Sequence, residues 1–324
     1  MEKVMKILCV VILVAAINFY GSLAVAQTYP TKSIRLIVPF PPGGSTDITG
    51  RMIAAKLTER LGKQLVVENR GGAGAVLGTE AAANSPPDGY TLLFISSSHT
   101  MNPSLHKLPY DQVKAFSPVA KLGSGPGVLT VHPSLPYKSV KELIAYAKAN
   151  PGKLVCPTSG SGTFMHLGVE LLKIMTDIDF KIIHFKGGGP AIVDQLGGHS
   201  HFSYGTLMQA LPHIKSGKLR AIGVGGLKRH VSLSEVPTVA ESGVPGYEAS
   251  NWWGILAPAG TPQAIIDKLQ KELSVIMSSA EAKKMFLDNG AEADMMNSAE
   301  FGPYIMSETE KWGKVIKQAG IKAE

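Results

Sequence analysis

An α/β fold with mainly parallel sheets is what this chain predicts, on three observations. Short apolar runs that read as strands alternate with helical periods of roughly 10–15 residues. Three of those runs end in a glycine-rich turn that opens a helix. They are Ile34–Phe40 before Pro41-Pro42-Gly43-Gly44-Ser45-Thr46-Asp47, Lys153–Cys156 before Thr158-Ser159-Gly160-Ser161-Gly162-Thr163, and Lys181–Phe185 before Lys186-Gly187-Gly188-Gly189-Pro190. All three turns fall at the carboxyl ends of their strands, where open α/β sheets bind ligands.

Ile34–Val38 reads as a buried strand, and Asp47–Leu61 as a helix with Ile48, Met52, Ile53, Leu57 and Leu61 on one face and Gly62 as its stop. A strand at Leu65–Glu68 and an Ala-rich helix at Leu77–Asn84, closed by Pro86-Pro87, come next. Tyr90–Ile95 is a strand that runs into the polar turn Ser96-Ser97-Ser98-His99. Val128–Val131 is a strand bounded by Pro126 and Pro133. The middle of the chain predicts helices at Val140–Ala149, Phe164–Met175, Pro190–Leu196 and Leu207–Ser216, with strands at Leu154–Cys156, Ile182–Phe185, His201–Tyr204 and Leu219–Val224 between and after them. Trp252–Ala257 is a further strand, and the tail is helical over Ala264–Met277, Glu281–Asp288 and Glu300–Gln318.

The amino terminus follows a different logic. Lys3 and Lys6 precede an apolar run from Ile7, which ends in Ala24-Val25-Ala26. A basic start, an apolar middle and small residues at the end describe a secretory signal peptide cut before Gln27. The expected mature chain, Gln27–Glu324, has 324 − 26 = 298 residues, enough for two domains. Cys9 leaves with the signal, so Cys156 is the single remaining thiol; an exported chain of this kind holds together by packing, not by an internal disulfide. The formal charge is +7, but Lys and Arg do not cluster, and only 7% of residues are aromatic. That composition disfavours a nucleic-acid groove and suits a small acidic solute.

The physical case for such a solute lies in the turns. A helix N-terminus has free backbone N–H groups and the positive end of the helix dipole, and glycine lets an anion approach both. Three such turns facing one another would cradle a carboxylate or phosphate. Candidate ligand residues are therefore Phe40, Gly43, Gly44, Ser45 and Thr46 from the first turn, with Asp47 read as structural because its charge repels an anion. The second turn supplies Ser159, Ser161, Gly162, Thr163 and, one turn into its helix, His166. The third supplies Lys186 and Gly187. Ser97 and His99 join from the polar turn.

The ordered motifs are similar to those of the Bug / TctC family, the extracytoplasmic solute-binding receptors of tripartite tricarboxylate transporters. The likeness opens at Tyr29-Pro30 and Ile34–Asp47. It continues through Val67-Glu68-Asn69-Arg70, Pro87-Asp88-Gly89-Tyr90-Thr91-Leu92-Leu93 and Leu108-Pro109-Tyr110-Asp111. It runs on through Pro212-His213-Ile214-Lys215, Val236–Glu241, Gly243–Glu248 and Leu256–Pro262, over essentially the whole mature chain. The resemblance implies a two-lobed periplasmic binding protein of type II, with lobe 1 from residues 27–125 plus 255–324 and lobe 2 from 126–254. The chain then crosses near Gly125 and near Trp253–Gly254, where Trp252 and Trp253 either line the cleft or pack in the hinge. It also implies closure around a small carboxylate, delivery to membrane transporter subunits or to a signalling partner, and no chemistry. A periplasmic monomer without cofactor or metal is expected.

One departure bears on specificity. Many relatives read Phe-Asp-Asn where this chain has Tyr204-Gly205-Thr206. An aspartate there would pair with the ammonium of an amino acid; Gly205 favours a plain mono- or dicarboxylate. Tyr204 and Thr206 complete the candidate set. Two other chemistries are weaker. Thr158–Gly162 lacks the G-x-S-x-G of a hydrolase elbow, because residue 159 is serine. His199 with His201, or His166 with Glu170, gives only two metal ligands and no evident third.

Overall fold

The computed structural model describes residues 29–318, 320 and 321. The signal-peptide reading of residues 1–26 lies outside them. Among the described residues no helix is long and apolar enough to cross a membrane.

The first sheet begins with β1 (Ile34–Val38), which pairs in parallel with β2 (Leu65–Asn69) and β3 (Thr91–Ser96). Helix α1 (Ser45–Leu61) connects β1 to β2 and α2 (Val76–Ala83) connects β2 to β3. The sheet is extended antiparallel by β9 (Ser250–Pro258), by the near half of β4 (Phe116–Val131), and by β10 (Glu292–Met296). Its order is β10-β4-β9-β3-β1-β2. One helical turn, α3 (Ser98–Met101), follows β3.

Strand β4 is 16 residues long and leaves this sheet without breaking. Gly127–Val131 pairs antiparallel with β7 (Phe202–Thr206), and Val128–Val131 also with β8 (Arg220–Val224). Around them stand α4 (Val140–Ala149), α5 (Phe164–Thr176), α6 (Gly188–Leu196) and α7 (Leu207–Lys215), with the parallel pair β5 (Val155–Thr158) and β6 (Lys181–His184). The tail adds α8 (Gln263–Ser278), α9 (Ala280–Asp288) and α10 (Ser298–Gln318). The strand switch within β4 falls at Pro126–Gly127. The return is at Ala249–Ser250: the Ala249 N–H bonds to Gly225, and Ser250 pairs with Pro126. Among the described residues, parallel pairing between strands occurs within the β1–β3 and β5/β6 units, with one isolated parallel bridge at Val224–Thr238, while the strands that join the sheets run antiparallel.

Each sheet has its own core. Ile34, Leu36, Val38, Phe94, Trp253 and Leu269 belong to the first, and Leu129, Leu143, Leu167, Phe202 and Tyr204 to the second. Helix α10 is shared. Its Phe301 and Ile305 pack with Trp252 and Leu256, whereas Trp312 and Ile316 sit in the second core. At about 1.5–3 kcal/mol for each large buried apolar side chain, both ends of that helix are firmly anchored. Trp252 and Trp253 are buried core residues, Trp252 edge-on to Phe301, and neither lines the cleft.

Two strands have no clear sequence signal. Residues 116–127 carry Pro118, Gly123, Gly125, Pro126 and Gly127 and precede the strand expected at Val128–Val131, yet they are the first twelve residues of β4. The glycines there are sites of close approach. A Cβ on Gly123 would strike Phe286, and one on Gly127 would strike the Tyr204 ring. Strand β10 is an edge strand with an irregular register, and a half-polar sequence suffices for it.

Candidate ligand-binding cleft

Four helices aim their N-termini at one space. The N-cap positions are Gly44 for α1, Thr163 for α5, Gly187 for α6 and Thr206 for α7, and none of the four makes a side-chain capping hydrogen bond. Phe40, Gly44, Ser45, Thr46, Ser159, Phe164, Met165, Gly188, Thr206 and Gln209 line a nearly shut cleft with about 30 Å³ of free volume. Ser96 and Ser98 from the end of β3 and Asn251 from β9 complete it. No charged side chain lines it among the described residues. Its electrostatics therefore come from backbone N–H groups, helix dipoles, hydroxyls and amides, a set suited to one or more carboxylate oxygens.

The first turn is braced from below. Asp47 accepts from the Gly43 N–H at 3.0 Å, from Arg51 Nε at 2.9 Å and from Asn69 Nδ2 at 2.8 Å. Burial alone would raise its carboxyl pKa, but those hydrogen bonds outweigh it and hold the group below its ordinary value. The carboxylate is thus turned away from the cleft, as a structural residue there should be. It grips the residue before the N-cap, so α1 leaves its first-turn N–H groups open. Ser45 and Thr46 are buried, and no hydroxyl of theirs caps the helix.

The second turn is held by its own hydroxyls. Ser159 Oγ donates to Thr163 Oγ1 at 2.8 Å, and Thr163 Oγ1 donates to the Gly160 carbonyl at 2.7 Å. The Phe164 N–H reaches across to Ser98 Oγ, 3.1 Å away. Asn251 Oδ1 accepts from both the N–H and the Oγ of Ser97, at 3.2 and 2.5 Å. That geometry commits the amide oxygen and leaves the Asn251 NH2 as the cleft-side donor. Gln209 Nε2 donates to the Gly188 carbonyl, which ties α7 to the third turn. Thr206 Oγ1 is buried without a protein partner.

The lobes touch at these turns. A Cβ on Gly44 would lie 3.7 Å from the backbone nitrogens of both Gly188 and Gly189. A Cβ on Gly187 would lie 2.5 Å from Pro41 Cγ, and one on Gly189 would run even closer to the Pro42 carbonyl oxygen. Two helix N-termini meet only because the residues between them lack side chains. Further along the rim, His106 Nε2 lies 3.4 Å from the Ser161 carbonyl.

The sequence-derived candidates divide accordingly. Phe40, Gly44, Ser45, Thr46, Ser159 and Thr206 line the cleft. Gly43, Ser97, Thr163 and Gly187 stand behind it and shape its wall through the bonds and contacts just described. Six others lie outside that lining. Tyr204 is fully buried in the second core, with its hydroxyl on the Ala249 carbonyl and away from the cleft lining. His99 points out of the cleft into a separate cavity beside Phe116, where burial lowers its pKa to about 3. His166 is turned inward: Nδ1 accepts the Gly162 N–H at 3.1 Å and Nε2 lies 3.7 Å from Glu170. Gly162 spends its N–H on that ring. Ser161 Oγ is buried without a partner and outside the cleft lining, and Lys186 is exposed to solvent.

Sequence reasoning missed Ser96, Ser98, Phe164, Met165, Gly188, Gln209 and Asn251. The serine run was visible, but which serine faces the cleft depends on the turn of α3. Gly188 and Phe164 adjoin residues already singled out. Gln209 and Asn251 have no local signal; the packing of α7 and β9 brings them in. Of the rival chemistries, a hydrolase would need a base beside Ser161, and His166 gives its ring nitrogen to a backbone N–H instead. His201 Nδ1 is likewise held by the Val155 N–H, and the described residues hold no group of three metal-ligating side chains.

A two-lobed α/β fold whose joining strands frame an uncharged cleft of helix N-termini defines a periplasmic binding protein by architecture. Solved structures agree with that class. An R. palustris protein solved with adipate superposes with a TM-score of 0.89 at 34% identity, over 91% of this chain and 100% of that one. MatC from Rhodopseudomonas palustris with bound malate gives 0.84 at 28% identity, over 89% of this chain and 100% of that one. Protein BugT of Bordetella pertussis is 38% identical over 300 residues, 92% of each chain. Residues 49–321 match the model of the tripartite tricarboxylate transporter family receptor, TctC, and the chain belongs to that family.

Proposed function

We propose that this protein captures a small mono- or dicarboxylate between its lobes and passes it to the membrane subunits of a tripartite transporter. One observation carries the reading: four helix N-termini, none capped by the side chain of its own N-cap residue, converge on a cleft without a charged side chain among the described residues. A carboxylate satisfies such donors without a cationic side chain. The solved relatives with adipate and malate support that class of guest. Gly205 beside Met165 leaves no acid to receive an ammonium, which favours a plain carboxylate over an amino acid. The chain acts in the periplasm as a monomer, after cleavage near Ala26, and performs no chemistry on its ligand. The two lobes, which meet where β4 switches at Pro126–Gly127 and the chain returns at Ala249–Ser250, close on the ligand.

The test is mass spectrometry of small molecules released from the purified protein, followed by calorimetric titration with adipate, succinate, malate, citrate, aspartate and glutamate. The expected outcome is tight 1:1 binding of a carboxylate without an amino group, lost in Ser45→Trp while its circular dichroism is unchanged. Preferential binding of aspartate or glutamate would overturn the class of ligand. Normal binding by Ser45→Trp would move the site elsewhere.

A further inference from the structure

A second cavity lies on the first lobe, away from the cleft. His99, Gln112, Val113, Phe116, Leu256 and Ile305 are among its lining residues, and its volume is about 330 Å³. Its walls come from α3, the segment before β4, β9 and the first turns of α10. Among the described residues no ionised side chain lines it, and its surface is almost wholly apolar apart from two residues. Those two are the informative ones. His99 Nε2 and Gln112 Oε1 are both buried and both lack any hydrogen-bond partner. His99 is 3% exposed and Gln112 is 8% exposed.

The chemistry of the missing partner follows from what these groups already do. Gln112 Nε2 donates to the His99 carbonyl, so only its amide oxygen remains, and that atom accepts. A neutral imidazole nitrogen either donates or accepts, according to tautomer. A hydroxyl does both. An anion is disfavoured here, because the Gln112 oxygen repels it and no cation stands on the wall among the described residues. A cation would face the same apolar surface without a carboxylate. Native proteins rarely leave two such atoms unpaired in residues that line one cavity, and apolar cavities take up small apolar molecules.

We propose that this cavity is a second ligand site, distinct from the carboxylate cleft, for a small neutral amphiphile: an apolar body with one hydroxyl, as in an aliphatic alcohol or a phenol. The hydroxyl donates to Gln112 Oε1 and accepts from His99 Nε2–H, while the body lies against Phe116, Leu256 and Ile305. The site adjoins the cleft structurally. His99 is the residue after Ser98, whose hydroxyl receives the Phe164 N–H across the lobes. Helix α10, one wall of the cavity, carries Trp312 and Ile316 into the second core.

Calorimetry or ligand-observed NMR with benzyl alcohol, toluene and benzoate tests the proposal. Benzyl alcohol is expected to bind saturably at one site, at least tenfold tighter than either toluene or benzoate. Binding should persist in Ser45→Trp, which blocks the cleft, and fall at least tenfold in Val113→Trp or Met306→Trp. Both of those positions are half exposed and tolerate a larger side chain that fills the cavity. The double variant His99→Phe, Gln112→Leu should reverse the preference towards toluene; Gln112→Leu alone serves if the double variant is unstable. Lack of saturable binding, equal binding of toluene by the native protein, or loss of binding in Ser45→Trp would each overturn it. None of these outcomes depends on which carboxylate the cleft holds.

Discussion

Gly189→Ala isolates closure of the lobes from folding of either lobe. Gly189 is the second residue of α6, where alanine is the better helix former by about 1 kcal/mol. The added methyl therefore does not harm the second lobe. It does meet the first one. The new carbon would approach the Pro42 carbonyl oxygen more closely than the 2.5 Å that separates a Gly187 Cβ from Pro41. A comfortable carbon–oxygen contact is about 3.3 Å, so the turns must part by about 0.8 Å or more. Overpacking of that order costs about 1–3 kcal/mol, and the cost falls on the closed state alone. A ligand that gains its affinity by closing the lobes then binds roughly 5- to 150-fold more weakly. Titration with the tightest carboxylate of the panel measures the affinity. Small-angle scattering at saturating ligand measures the separation of the lobes. Affinity within twofold of the native protein, together with an unchanged scattering profile, would refute the claim that these turns touch on closure.

Three further outcomes follow from the same geometry. Asp47→Asn should lower unfolding stability by about 1–3 kcal/mol at neutral pH, because it weakens charge-assisted bonds to Arg51, Gly43 and Asn69. Since the folded pKa of Asp47 lies below its ordinary value, that advantage is present above about pH 4 and lost as pH falls through the folded pKa; urea unfolding of both proteins from pH 7 to pH 2 should converge. Tyr204→Phe should cost about 1 kcal/mol through the lost bond to the Ala249 carbonyl and leave carboxylate affinity unchanged, so a tenfold loss of affinity would return Tyr204 to the cleft. A Cβ at Gly205 meets only Met165 Cε, at 3.8 Å, so Gly205→Asp has room; calorimetry should then show glutamate or aspartate gaining on succinate by at least tenfold.

Hydrogen-bond direction explains which site residues were legible. The turns at Gly43–Thr46, Ser159–Thr163 and Gly187–Gly189 stand out in the sequence because glycine and hydroxyl residues at a helix start have a local purpose. Their main-chain donors need no side-chain identity to act, so reading them needed no tertiary contact. His166, Lys186 and Tyr204 looked equally suitable by residue type, but each has two faces available. The Gly162 N–H turns His166 inward, the Ala249 carbonyl holds Tyr204 in the core, and Lys186 finds only solvent.

Periodicity and glycine placement determined the alternation of strands and helices, the anion-binding character of the turns and, through ordered motifs, the receptor family. These are short-range properties: each is fixed by residues within a few positions of one another. Only the tertiary structure decided that residues 116–127 are strand, since their glycines serve packing against Phe286 and Tyr204 and not a turn. It alone brought Gln209 and Asn251 to the cleft and turned His99 towards a second cavity. Those outcomes depend on which surfaces meet across more than a hundred residues of chain, and no local pattern encodes such a meeting.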